Sequence, residues 1–145
     1  MVSVGKMSLN QGWTGEAITN FTRALLLNPT DADVHYYLGR VLDSAGRDAE
    51  AQPHFAEALR LNPDHAGAHL GLGIEWRKQG RETDALAQFS EAARLNPRLV
   101  EARLYLGIAL FKQQRSSEAR REFEAVLQID PNNSTAQKYL REIPN

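Results

Sequence analysis

Residues 32 to 44 place Val34, Leu38, Val41 and Leu42 at helical spacing, with charged and polar residues between them. Gly46 follows, a residue suited to the φ > 0 conformation that ends helices. A second apolar set, Ala51, Phe55, Ala58, Leu59 and Leu61, runs on to Pro63. Proline lacks the N–H that a continuing helix needs, so the second helix stops there. The pattern predicts a helical hairpin, with one helix over Ala32–Ser44 and the other over Asp48–Leu61. Small residues at Gly39, Ala51 and Ala58 let the axes approach closely, and Phe55 fills the space between them.

This hairpin recurs along the chain. Pro29, Pro63, Pro97 and Pro131 lie 34 residues apart, as do Phe21, Phe55, Phe89 and Phe123. The same shift aligns Ala17, Ala51, Ala85 and Ala119, and also Gly5, Gly39, Gly73 and Gly107. Gly12, Gly46 and Gly80 align too, with Gln114 in the fourth copy. The units are 1–31, 32–65, 66–99 and 100–133, the first lacking the positions that precede its Met1. A single hairpin cannot bury its apolar face, so stacked copies must share one core. Residues 134–143 carry one more helix, with Ser134 as N-cap and Leu140 turned inward; its polar outer side reads as a cap that ends the stack. Phe55, Phe89 and Phe123 are expected to be buried.

The columns Leu38-Gly39, Ala51, Phe55 and Pro63 resemble the tetratricopeptide repeat (TPR) pattern. So do Leu72-Gly73, Trp76, Ala85, Phe89 and Pro97, and Leu106-Gly107, Ala119, Phe123 and Pro131. His35, His69 and Arg103 replace the first aromatic of that pattern. The resemblance spans essentially the whole chain as one TPR domain, 1–145. It implies an all-α, right-handed superhelical solenoid whose first helices line a concave face that holds extended or helical peptides.

Composition narrows the chemistry. The chain is 42% hydrophobic and 24% charged, with a formal net charge of -1. Without a basic excess, nucleic acid is not expected as a partner. No apolar run is long enough for a membrane helix or a signal peptide core, which favours a cytoplasmic location. The chain has no cysteine, so thiolate metal sites and cysteine nucleophiles are excluded. His65 and His69 stand four apart, yet His65 falls in the turn after Pro63, and His35 and His69 read as interface packing. No serine sits in a glycine elbow and no phosphate loop is present. The expectation is a protein-binding scaffold with no catalytic residue, no cofactor and no metal. Self-assembly, or service as the regulatory segment of a longer protein, are the alternatives.

Helical geometry selects the residues opposite the core face of each first helix. They form rows: Asp33, Gly67, Glu101; Tyr36, Leu70, Leu104; Tyr37, Gly71, Tyr105; Arg40, Ile74, Ile108; Ser44, Lys78, Lys112; with Arg77 beside the last. The candidate peptide-binding residues are Tyr36, Tyr37, Arg40, Gly67, Gly71, Ile74, Arg77, Lys78, Tyr105, Ile108 and Lys112. This is an apolar and aromatic floor between an acidic rim and a basic one. Gly67 and Gly71, between tyrosines, predict a notch that admits a ligand group, with Gly71→Leu leaving helicity intact. TPR domains that grip chaperone tails use lysine, asparagine and arginine at places held here by Tyr36, Arg40, Gly71, Glu101 and Tyr105, so that binding is expected to be absent. The apolar set Val2, Val4, Met7, Leu9 and Trp13 predicts homo-oligomer formation through the N-terminal end.

Overall fold

The computed structural model describes residues 13–145. Eight helices and no strand occur among these residues. They are α1 (Thr14–Leu27), α2 (Ala32–Ser44), α3 (Asp48–Leu61), α4 (Ala66–Lys78), α5 (Glu82–Leu95), α6 (Val100–Lys112), α7 (Ser116–Ile129) and α8 (Ser134–Glu142). Consecutive helices pack as antiparallel neighbours, and the hairpins α2/α3, α4/α5 and α6/α7 stack into a solenoid. The α2 and α3 bounds are those the apolar pattern predicts. The helix continues through Pro53 of α3, which removes one ladder hydrogen bond without ending it.

Each hairpin turns in the same way. Gly46 and Gly80 have φ of 72° and 77°, and Gln114 takes the same left-handed conformation at 61°. The next N–H then reaches back: Arg47 to the Leu42 carbonyl, Arg81 to Trp76 and Arg115 to Leu110, each at 2.9 Å. At the other ends, the side chains of Asp31, His65 and Asn133 accept from the N–H of Val34, Ala68 and Ala136. Asn133, not Ser134, therefore caps the last helix. Asn133 reaches the free N–H three residues on, whereas Ser134 is already the first helical residue.

The four phenylalanines are the largest wholly buried side chains. Inside each hairpin the ring lies on a glycine backbone. A Cβ on Gly39 would stand 2.8 Å from Phe55, one on Gly73 2.7 Å from Phe89, and one on Gly107 2.8 Å from Phe123. Between hairpins a second contact repeats. Tyr37 stacks on Phe21 at 5.8 Å, Tyr105 on Phe89 at 5.2 Å and Tyr139 on Phe123 at 5.0 Å, with planes within 17° of parallel. Gly71 holds the equivalent place opposite Phe55, so this stack is missing between α3 and α4. The buried core divides there as well: Phe55 and Leu72 belong to one cluster, Leu70 and Phe89 to the other.

Candidate functional site

The exposed faces of α2, α4 and α6 meet over the missing stack. They enclose a cleft of about 310 Å³. Eight of the eleven candidate residues line it: Tyr36, Arg40, Gly67, Gly71, Ile74, Arg77, Lys78 and Tyr105, together with Asp43, Ser44, Phe55, Leu70 and Glu101. Ile108 lines a smaller adjoining cleft of about 220 Å³ that shares Glu101 and Tyr105 and continues to Leu104 and Thr135 of α8. Tyr37 lies away from both clefts, against Phe21, and Lys112 faces Glu82 at 4.0 Å.

The two glycines do not leave the notch expected of them. A Cβ on Gly71 would stand 2.5 Å from the Phe55 ring, and one on Gly67 would stand 2.7 Å from the Tyr36 ring. The space lost from α4 is filled by Phe55 from behind and by Tyr36 from the side. Tyr36 also meets the His65 ring at 4.7 Å. Burial raises the Tyr36 phenol above its ordinary range, opposed by Arg40, so the hydroxyl is protonated and able to donate. Gly71→Leu would therefore overpack the core rather than leave the fold intact.

Charge in the cleft is also distributed differently from the two-rim reading. The Lys78 ammonium is hydrogen-bonded to Asp43, and lies 3.2 Å from both Asp48 and Glu75. Burial works against its charge, but these carboxylates outweigh that and raise its pKa. Lys78 is thus occupied within the protein. Arg40 and Arg77 lie instead over tyrosine rings, Arg40 at 5.7 Å from Tyr36 and Arg77 at 4.8 Å from Tyr105. Arg77 Nε is buried and finds no acceptor.

Asp43, Asp48 and Glu75 bring carboxylate oxygens within 4.8 Å of one another, a spacing that suits a cation. The Lys78 ammonium takes that position. Glu75 is 1% exposed and one of its oxygens has no partner. Burial pushes its carboxyl above the usual range, against the pull of Lys78. The sequence held one signal for this group: Glu75 occupies the column of Val41 and Ala109.

The histidines serve the scaffold. His35 and His69 reach the carbonyls of Pro29 and Pro63 at 2.9 and 2.8 Å, and Arg103 and Gln137 reach those of Pro97 and Pro131. The other side of each ring or guanidinium meets the following helix: His35 with His54, His69 with Gln88, Arg103 with Glu122. These residues replace an aromatic with a polar strut that ties each preceding loop down. Of the N-terminal association surface, Val2, Val4, Met7 and Leu9 lie outside the described residues, and Trp13 is 53% exposed. No described helix is long and apolar enough to cross a membrane.

Comparison with known proteins places these features among relatives. Tetratricopeptide repeat models match residues 32–65, 49–99 and 77–134. No curated protein matches. Among solved structures, the chain is similar to YrrB, described as a TPR protein with an unusual peptide-binding site. The identity is 25%, over 96% of this chain and 72% of that one, with a TM-score of 0.78. Pseudomonas aeruginosa pilF superposes with a TM-score of 0.86 at 22% identity, over 98% of this chain and 65% of that one. The first TPR of Spaghetti (RPAP3), bound to the HSP90 peptide SRMEEVD, gives 0.71 at 25% identity, over 77% of this chain and 89% of that one.

Proposed function

Since the chain belongs to the tetratricopeptide repeat family, we propose that it is a non-catalytic scaffold that holds a partner segment along α2, α4 and α6. The observation that carries this reading is the cleft those three helices share. Its floor is Leu70, Ile74 and Gly71, and its walls are Tyr36, Tyr105, Arg40 and Arg77. Tyrosine and arginine around an apolar centre are the side chains that dominate binding energy at protein interfaces. The adjoining cleft extends the path to α8, so a segment several residues long can lie across it. YrrB and the Spaghetti domain, both at 25% identity, are described in terms of peptide binding, which supports the same use of this fold here.

The segment is an extended or helical stretch with an apolar anchor over Ile74. A chaperone tail ending in a free carboxylate does not suit the groove: Glu101 stands where tail-gripping TPR domains carry a basic residue, and it repels a terminal carboxylate at that place. The test is selection of 12-residue peptides from a random displayed library with the whole chain. Ile74→Arg should weaken the selected peptides by about tenfold or more. Ala87→Glu, on an exposed position of α5, should leave them unchanged. The opposite pattern would move the binding face to the second helices and overturn the reading.

A further inference from the structure

We infer that Arg40 and Arg77 together hold one carboxylate side chain of the bound segment, an Asp or Glu within its length. This inference rests on the groove reading and adds the chemistry of one contact.

Three observations converge on it. First, both guanidinium groups line the same cleft, one from α2 and one from α4. Each lies over a tyrosine ring, 5.7 Å for Arg40 and 4.8 Å for Arg77. A ring beside the guanidinium restrains it, so less freedom is lost when an acceptor arrives.

Second, neither arginine is paired with a carboxylate, and Arg40 hydrogen-bonds only the neutral Tyr36 hydroxyl. Arg47, Arg60, Arg81, Arg94 and Arg115 each pair with a carboxylate three residues away. No carboxylate or carbonyl among the described residues accepts from Arg40 or Arg77. Arg77 Nε is buried without an acceptor, so the group is left short of partners by the fold itself. Carboxylate matches a guanidinium fork in shape and gives the stronger, charge-assisted kind of hydrogen bond.

Third, the other charges of the cleft are used or set apart. Lys78 and Asp43 are bonded to each other. Glu101 pairs with neither arginine. The uncommitted charges are therefore two positive and one negative, which favours one anionic group. The apolar floor of Leu70 and Ile74 lowers the local dielectric and strengthens the contact.

The experiment uses a positional-scanning library of 12-residue peptides, each position fixed in turn as Glu, Gln, phosphoserine, Lys or Leu. The probes are the full chain, Arg40→Gln/Arg77→Gln, and Ile74→Arg. The inference expects one position at which the parent prefers Glu over Gln by about tenfold. The double variant should lose that preference and keep the apolar ones. If the double variant loses helicity, the exposed Arg40→Gln alone carries the test, with a smaller but definite loss. Apolar preferences with no Glu position, a Glu preference that survives both substitutions, or phosphoserine favoured over Glu would overturn the inference and leave the groove reading standing. Preferences untouched by Ile74→Arg would overturn the groove reading and this inference with it.

Discussion

The junction between α5 and α6 and the junction between α3 and α4 are built on the same columns and solved differently. At α5/α6 the Tyr105 ring covers Phe89, with planes 17° apart. At α3/α4 the covering ring is absent, and the α4 backbone itself lies on Phe55 through Gly71. Tyr36 then leans across from α2, 6.2 Å from Phe55. Where the stack is missing, a cluster of four charged groups joins the hairpins, Asp43 and Asp48 from one and Glu75 and Lys78 from the next, against the Glu82–Lys112 pair at 4.0 Å across α5/α6. The missing tyrosine does not leave a hole. The junction loses an aromatic stack and gains a denser ion cluster, the core divides there, and the cleft at that point is lined with arginine. The candidate site sits at the solenoid's departure from its own repeat.

The largest test of the contrast is Phe89→Ala. It removes a wholly buried ring and the face on which Tyr105 stacks, and should cost about 3–5 kcal/mol in denaturant unfolding. A double-mutant cycle with Tyr105→Leu should find about 0.5–1.5 kcal/mol of coupling beyond burial. Zero coupling would mean that the stack is mere adjacency, and the two junctions would differ in shape alone.

Gly71→Ala comes next. An added Cβ gains roughly 1 kcal/mol of helix propensity. It would also stand 2.5 to 2.7 Å from three atoms of a buried phenylalanine ring, which must move. Overpacking of this kind costs about 1–3 kcal/mol, so the net change is destabilising. Gly15→Ala in α1 is the control, since no atom lies within 4 Å of its added Cβ. It should stabilise by about 0.5–1 kcal/mol. Equal gains at both positions would show that α4 can withdraw from Phe55 at little cost.

Why the fold was legible and the site only in part follows from what each residue encodes. Pro63, Gly46 and the Phe55 column specify backbone geometry within one hairpin, and such constraints repeat with the chain. The groove depends on which neighbour fills a space. Reading across the row put Tyr37 and Tyr105 beside Gly71, but Phe55 from the helix behind is closer. Lys78 read as a rim cation because its partners, Asp43 and Asp48, lie across a turn from each other and on another hairpin. The Asn133 cap was displaced by one residue because Ser134 is as good a capping type. Glu75 was visible as a charge in an apolar column, a mismatch between one copy and its neighbours.

Glu75 gives a pH test of the ionic junction. Its pKa is raised by burial, so the folded chain holds a proton that the unfolded chain releases near the ordinary value of 4.5. Stability from this group is fully present below that value and is lost as pH rises toward its folded pKa. Glu75→Gln cannot ionise, so its melting midpoint should gain on the parent as pH rises from about 4.5 toward neutral. His54 acts in the opposite sense: burial, with His35 beside it, lowers its pKa, so its contribution is lost as pH falls below about 6.5. That slope is common to both proteins and cancels in the difference. A difference that stays flat with pH would place Glu75 in the ordinary carboxylate range and make the junction a conventional ion pair.

The smallest expected effect separates backbone from side chain beside the intact junction. The turns at Gly46, Gly80 and Gln114 share one geometry, with left-handed φ and a closing bond of 2.9 Å in each. Only the third uses a residue with a Cβ. A non-glycine residue in that conformation costs about 1–2 kcal/mol, and glycine returns part of that through the freedom it has in the unfolded chain. Gln114→Gly should therefore stabilise by about 0.5–1 kcal/mol, while Gln114→Ala, which keeps the Cβ, should not. Because the turn makes no hydrogen bond or ring contact with Phe89 or Tyr105, its gain should add to theirs without coupling. A gain that vanished in the Phe89→Ala background would tie the turn to the stack, and the contrast between the junctions would then belong to whole hairpins rather than to the ring present at position 105 and absent at 71.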